Sequence, residues 1–208
     1  MKKLISVFLL LLLLCSCAAA EELPVISPTP TPAVAVPVEL PPYAYTGDDP
    51  FVKVLTDLYA DYPVADLFTT QEGFVTVPCP MILKREMKDD THAKVYFAYW
   101  ILNYTLDVNV LVRLSGGMIP GAVTMEKTGE GWTVTGGDTL DWVDHADACR
   151  WLSEGDRELE AKYAAAEDLL SEENTVLRKQ YLLAYVRANN LPVIAYQDGE
   201  LESPVRLK

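Results

Sequence analysis

Apolar and polar positions follow three different rhythms along this chain. Phe51, Val54, Leu55, Leu58 and Tyr62 recur at three- and four-residue spacing, the period of one apolar helix face. Asp48-Asp49-Pro50 precedes them and Pro63 follows, so the pattern predicts a helix that starts near Pro50 and stops at Pro63. Beyond it the rhythm becomes extended. Strands are predicted over residues 74–77, 81–87, 95–106, 110–114, 122–127 and 132–135, which are rich in β-branched and aromatic side chains. Lys88-Asp89-Asp90-Thr91, Asp107-Val108-Asn109, Ser115-Gly116-Gly117 and Gly129-Glu130-Gly131 lie between them and read as turns. Connections this short join antiparallel neighbours.

The central run is apolar on both faces: Val95, Phe97, Tyr99 and Ile101 alternate with Tyr96, Ala98, Trp100 and Leu102. One face must therefore be covered by helices or close a pocket. After Asp144 the period turns helical, through Ala148, Trp151, Leu152, Leu159, Tyr163, Ala166 and Leu170. Ser171-Glu172-Glu173 caps a second helix that carries Val176, Leu177, Tyr181, Leu182, Tyr185 and Val186, and Asn189-Asn190 with Pro192 ends it. A short strand at 193–196 and an Asp198-Gly199 turn close the chain. The order helix, meander, helices, strand predicts an α+β fold: an antiparallel β-meander packed against an N-terminal helix and two C-terminal helices.

The first 42 residues follow none of these rhythms. Lys2 and Lys3 precede an apolar run at 4–14, the layout of an export leader, and that run is too short to span a bilayer, which takes about 20 residues. Leu14-Cys15-Ser16-Cys17 resembles the lipobox of bacterial lipoproteins. The resemblance implies a diacylglycerol on Cys17 and cleavage just before it; Cys15 departs from the small residue commonest at its position. Ordinary secretion, with cleavage after Ala18 or Ala20, is the competing reading. Half of the chain's 14 prolines fall in residues 23–42, a composition that favours polyproline II and packs no core. At about 3.1 Å per residue, roughly 25 such residues reach about 75 Å. The chain thus divides into a leader (1–16), a lipidated N-terminus with a proline-rich stalk (17–42) and one extracytoplasmic domain (43–208).

The formal charge of -13 becomes more negative once Lys2 and Lys3 leave with the leader. Binding to nucleic acid or anionic headgroups depends on clustered Lys and Arg, so nucleic acid is excluded as a partner. The membrane enters through the lipid anchor alone. Cys79 and Cys149 either bridge, which would constrain the unfolded chain by something like 4 kcal/mol, or are separately buried free thiols. No Cys-x-x-Cys is present, which removes the thioredoxin-like and zinc-ribbon readings.

Two constellations can carry chemistry. Asp138, Asp141, Asp144, His145, Asp147 and Cys149 crowd twelve residues; on a helix, Asp141, His145 and Cys149 lie one turn apart and can grip a metal. The structural alternative makes Asp144 a cap, Asp147 a charge at the helix's positive end and Cys149 a core residue. Tyr96, Tyr99, Trp100, Tyr104, Trp132 and Trp142 can line a pocket for a small ligand, with Tyr99, Trp100, Tyr104 and Trp132 at its centre, or can be ordinary core. Neither His92 nor His145 accompanies a nucleophile elbow, and no phosphate-cradling glycine loop is present.

Residues 94–135, with Ser115-Gly116-Gly117-Met118-Ile119-Pro120 between two strands, and the ending Asn189-Asn190-Leu191-Pro192 resemble segments of uncharacterised extracytoplasmic proteins of Gram-positive bacteria. A helix wrapped by an antiparallel sheet is similar in element order to cystatin and NTF2-like folds. Fold alone implies no activity. The expectation is a lipid-anchored module on the extracytoplasmic face of the cell membrane, binding a small-molecule, envelope or protein ligand, with no cofactor besides the anchor. The rival expectation is an envelope hydrolase or metal enzyme centred on Asp141 to Cys149.

Overall fold

The structure is a computed structural model that describes residues 40–60, 73–139, 145–199 and 202–207. The leader, Cys17, the proline-rich residues up to 39, Pro63, Asp141, Trp142 and Asp144 lie outside the described residues. The fold is α+β, as the element order predicts.

Helix α1 (Pro50–Ala60) begins where Asp49 Oδ1 accepts hydrogen bonds from the Phe51 and Val52 amides at 3.0 and 3.4 Å. The cap satisfies two amides that a helix start leaves open. Four strands follow as a meander: β1 (Phe74–Met87), β2 (His92–Asp107), β3 (Val110–Thr128) and β4 (Gly131–Thr139), each antiparallel to the next. The chain then builds α2 (His145–Leu152), α3 (Arg157–Ala166) and α4 (Glu172–Ala188). It returns as β5 (Ala195–Gln197), parallel to the start of β3, and β6 (Val205–Arg206), antiparallel to β5.

The period-two pattern of β2 explains the layering. Val95, Phe97, Tyr99 and Ile101 pack with Phe51 and Leu55 of α1. Tyr96 packs with Cys149, Leu152, Leu159 and Tyr163 of α2 and α3, Ala98 with Ala166, and Leu102 and Tyr104 with Tyr181, Leu182 and Tyr185 of α4. Both faces of the central strand are thus helix-covered, and full burial of each large apolar side chain contributes roughly 1.5–3 kcal/mol.

The closing strand falls at Ala195–Gln197 rather than 193–196 and pairs with an unforeseen β6, and three larger elements are joined or split differently from the sequence expectation. The segments at 74–77 and 81–87 are one strand, because among the described residues β1 pairs on one side only, with β2; Pro78 and Pro80 lack N–H donors and sit without penalty on such an edge. The segments at 110–114 and 122–127 are also one strand, and Ser115-Gly116-Gly117 is extended within it. A Cβ at Gly116 would stand 2.7 Å from the Ile101 carbonyl oxygen, so glycine here permits a close approach of two strands rather than a reversal. The first C-terminal helix is two helices. Glu154 and Gly155 take φ of 51° and 89°, which stops α2, and Asp156 Oδ1 restarts the chain as α3 by accepting from the Glu158 and Leu159 amides.

The folded part also begins before residue 43, the expected boundary. Leu40 is buried among α4 and β1 side chains, the Pro41 carbonyl accepts a 2.7 Å hydrogen bond from the Tyr185 hydroxyl, and the Tyr43 ring stacks on Tyr185 at 6.0 Å. One apolar leucine among prolines provides a hold that the composition obscures.

Candidate functional site

Parity along β2 decides the fate of the aromatic group. Tyr99 and Trp100 are consecutive, so they point to opposite faces. Tyr99 lies on the α1 face, and Trp132 joins it there, its ring 4.7 Å from Phe51. Trp100 lies on the other face and donates from Nε1 to the Ala166 carbonyl at 3.0 Å. Tyr104 is fully buried there too, its hydroxyl 3.4 Å from Asp198 Oδ1. The four aromatic residues therefore do not line one pocket. Trp100 and Tyr104 tie the helices to the sheet, and Tyr96 packs in the α2–α3 cluster.

Tyr99 does border a cavity, of about 380 Å³, within the range usual for small-molecule sites. Thr56 of α1 forms one wall, and Tyr99 and Ile101 of β2 form the floor. Phe74, Val75, Thr76 and Pro78 of β1 form a second wall, and Leu40, Pro42 and Tyr43 the third. Among the described residues the lining holds no charged side chain. Burial pushes the Tyr43 phenol well above its ordinary value, so this tyrosine stays neutral. Thr76 Oγ1 donates to Asn103 Oδ1 at 2.8 Å, and Asn103 Nδ2 donates to Ser115 Oγ at 2.9 Å, a polar row crossing β1, β2 and β3 at paired positions. Thr56 is only 3% exposed, and its hydroxyl has no hydrogen-bond partner among the described residues. A buried polar group without a partner is rare in folded proteins and calls for a reason.

A cavity tolerates enlargement that a packed core does not. Ile101→Phe, which grows into this space, is expected to change stability by less than about 1 kcal/mol, whereas Val95→Phe in the filled part of the same face costs about 1–3 kcal/mol. Denaturant midpoints of the two variants check this; equal losses would mean that the space beside Ile101 is already occupied.

The acidic cluster does not assemble into a centre among the described residues. Asp141 lies outside them, Asp147 pairs with Arg150 at 2.8 Å on the surface, and no group of three His, Cys, Asp or Glu side chains there is placed to hold a metal ion. Cys149 is buried; desolvation first, and then the carboxylate of Glu167, push its thiol up to about 11. It stays protonated near neutrality, unlike a reactive thiolate.

Cys79 and Cys149 are both free. They sit in different clusters, Cys79 of β1 against α4 and Cys149 of α2 against β2 and α3, so the structure favours separate burial over a bridge. Alkylation should leave both untouched in the folded chain and modify both after denaturation without reductant. Mass spectrometry reads the count, and two unmodified cysteines in the denatured, unreduced chain would mean that they are bridged.

His92 opens β2 just after the β1–β2 turn, where Asp89 accepts from its backbone amide at 2.8 Å and its ring lies 2.9 Å from the same carboxylate. Of the described residues that line the cavity, sequence reasoning named Tyr99 alone and missed the others, Leu40, Thr56, Thr76 and Ile101 among them. Their only signal was a buried threonine position on the apolar side of α1.

Comparison with protein-family models, curated proteins and solved structures returned no match to this chain. The functional reading therefore rests on the geometry of the cavity and the pattern of the N-terminal residues.

Proposed function

We propose that this chain is a lipoprotein, anchored through a diacylglycerol on Cys17 to the extracytoplasmic face of the cell membrane, whose folded part binds a small ligand. The observation that supports binding is the 380 Å³ cavity with its unpartnered Thr56 hydroxyl. The leader, the lipobox-like Leu14-Cys15-Ser16-Cys17 and the proline-rich spacer support the address. Among the described residues no helix is long and apolar enough to cross a membrane, so attachment is assigned to the acyl chains. Two such chains hold a protein stably where one does not. The partners of this reading are the membrane, through the anchor, and a small molecule.

Equilibrium dialysis of the full chain in lipid nanodiscs, with p-cresol as probe and empty nanodiscs as the reference, tests the binding. Saturable uptake of one probe per chain is expected, with loss of that uptake in Ile101→Trp, which fills the space. Uptake equal to that of empty nanodiscs would refute the reading. Palmitate labelling that disappears in Cys17→Ala tests the anchor separately.

A further inference from the structure

The cavity's chemistry narrows its ligand. Its walls are aliphatic and aromatic apart from two threonines, and none of the described side chains that line it is charged. An ion entering it would give up hydration with no opposite charge to replace it, which is costly in any low-dielectric site. The two threonines in the wall are not equivalent. Thr76 is engaged with Asn103, whereas the Thr56 hydroxyl is buried and unpartnered. A helical threonine occupies two side-chain rotamers, so one rotamer step can carry the hydroxyl from the helix toward the space that Thr56 borders. A hydroxyl both donates and accepts, and it can therefore serve either an alcohol or a carbonyl.

We infer, on the reading that this cavity is the binding site, that its ligand is an uncharged molecule with an apolar body and a single hydroxyl or carbonyl group, held by one hydrogen bond to Thr56. The single polar anchor fixes orientation, and the apolar walls supply most of the affinity. Acids, amines and phosphates of the same shape are rejected because the site cannot replace their hydration.

Dialysis of the full chain in nanodiscs against four probes of similar size tests this: p-cresol, toluene, p-toluate and benzylamine. The neutral pair should bind. The ionised pair should bind at least roughly a hundredfold more weakly, as expected for a charge without a partner. Thr56→Val, which keeps shape and removes the hydroxyl, should weaken p-cresol by roughly three- to tenfold, the size of one neutral hydrogen bond, and leave toluene unchanged. Thr56→Ser should restore the preference for p-cresol. Binding of p-toluate or benzylamine as tight as that of p-cresol overturns the ligand class while leaving the binding reading intact, as does a Thr56→Val chain that keeps its preference for p-cresol over toluene. Failure of all four probes overturns the binding reading itself.

Discussion

Replacing Arg178 by Met, or Asp198 by Asn, is expected to destabilise the chain by about 3–5 kcal/mol, because either change leaves half of a buried ion pair behind. Arg178 and Asp198 are each almost wholly enclosed, with Nη2 and Oδ2 2.6 Å apart. Arg178 Nη1 also donates to the Leu169 carbonyl at 2.8 Å, and Arg113 Nε donates to the Asp198 carbonyl at 2.7 Å. One network thereby joins α4, the α3–α4 connection, β3 and the residue that follows β5. The double variant Arg178→Met with Asp198→Asn should lose much less than the sum of the two single losses, since it removes both charges together.

The same pair has a pH signature. Burial raises the Asp198 carboxyl, and Arg178 and Arg113 oppose that rise. A carboxyl whose folded pKa is raised binds more protons in the folded chain than in the unfolded one, so stability falls as pH climbs from the ordinary carboxylate range through the raised value. Arg178→Met removes the largest opposing charge and should steepen that fall. Its deficit relative to the native chain should thus be smaller in mild acid than at neutrality. Denaturant midpoints across pH check both points, and a deficit below about 1 kcal/mol, unchanged with pH, would mean that water reaches the pair.

Phe97→Ala carries the other large expected effect, also about 3–5 kcal/mol, as for truncation of an enclosed aromatic side chain. Phe97 is fully buried at the centre of β2. Its cross-strand partner is Gly121, and a Cβ built on Gly121 would run into the Phe97 ring. The ring thus occupies the space that the glycine leaves, while the Gly121 carbonyl accepts from the Tyr163 hydroxyl at 2.7 Å. Gly121→Ala should therefore destabilise the native chain and be tolerated in a Phe97→Ala background. A double-mutant cycle by denaturation measures the coupling; additive losses would mean that the ring and the glycine are independent.

These residues also show how far the sequence could be read. The alternation of Val95, Phe97, Tyr99 and Ile101 with Tyr96, Ala98, Trp100 and Leu102 announces a strand buried on both faces, and the structure places helices on both. The same alternation separates Tyr99 from Trp100, so grouping them in one pocket set residue type above parity. Gly116 reads as a turn residue in the sequence and Gly121 carries no signal of its own; only the neighbouring strand, through the Ile101 carbonyl and the Phe97 ring, reveals why glycine stands at each. Arg178 and Asp198 lie in different elements, and no local spacing connects them. The cavity belongs to the same class. It arises where Leu40, Thr56, Thr76 and Ile101 come together from four separate segments, and no periodicity marks such a meeting.

Fluorine NMR of the fluorotyrosine-labelled full chain in nanodiscs, titrated with p-cresol, tests the central claim most directly. Tyr43 and Tyr99 border the cavity, whereas Tyr163 lies in the cluster under α2 and α3; Tyr→Phe variants assign the three signals. The account predicts saturable shifts of the Tyr43 and Tyr99 signals with a still Tyr163. Movement of Tyr163 alone, or stillness of both cavity tyrosines at probe concentrations that saturate uptake, would contradict it.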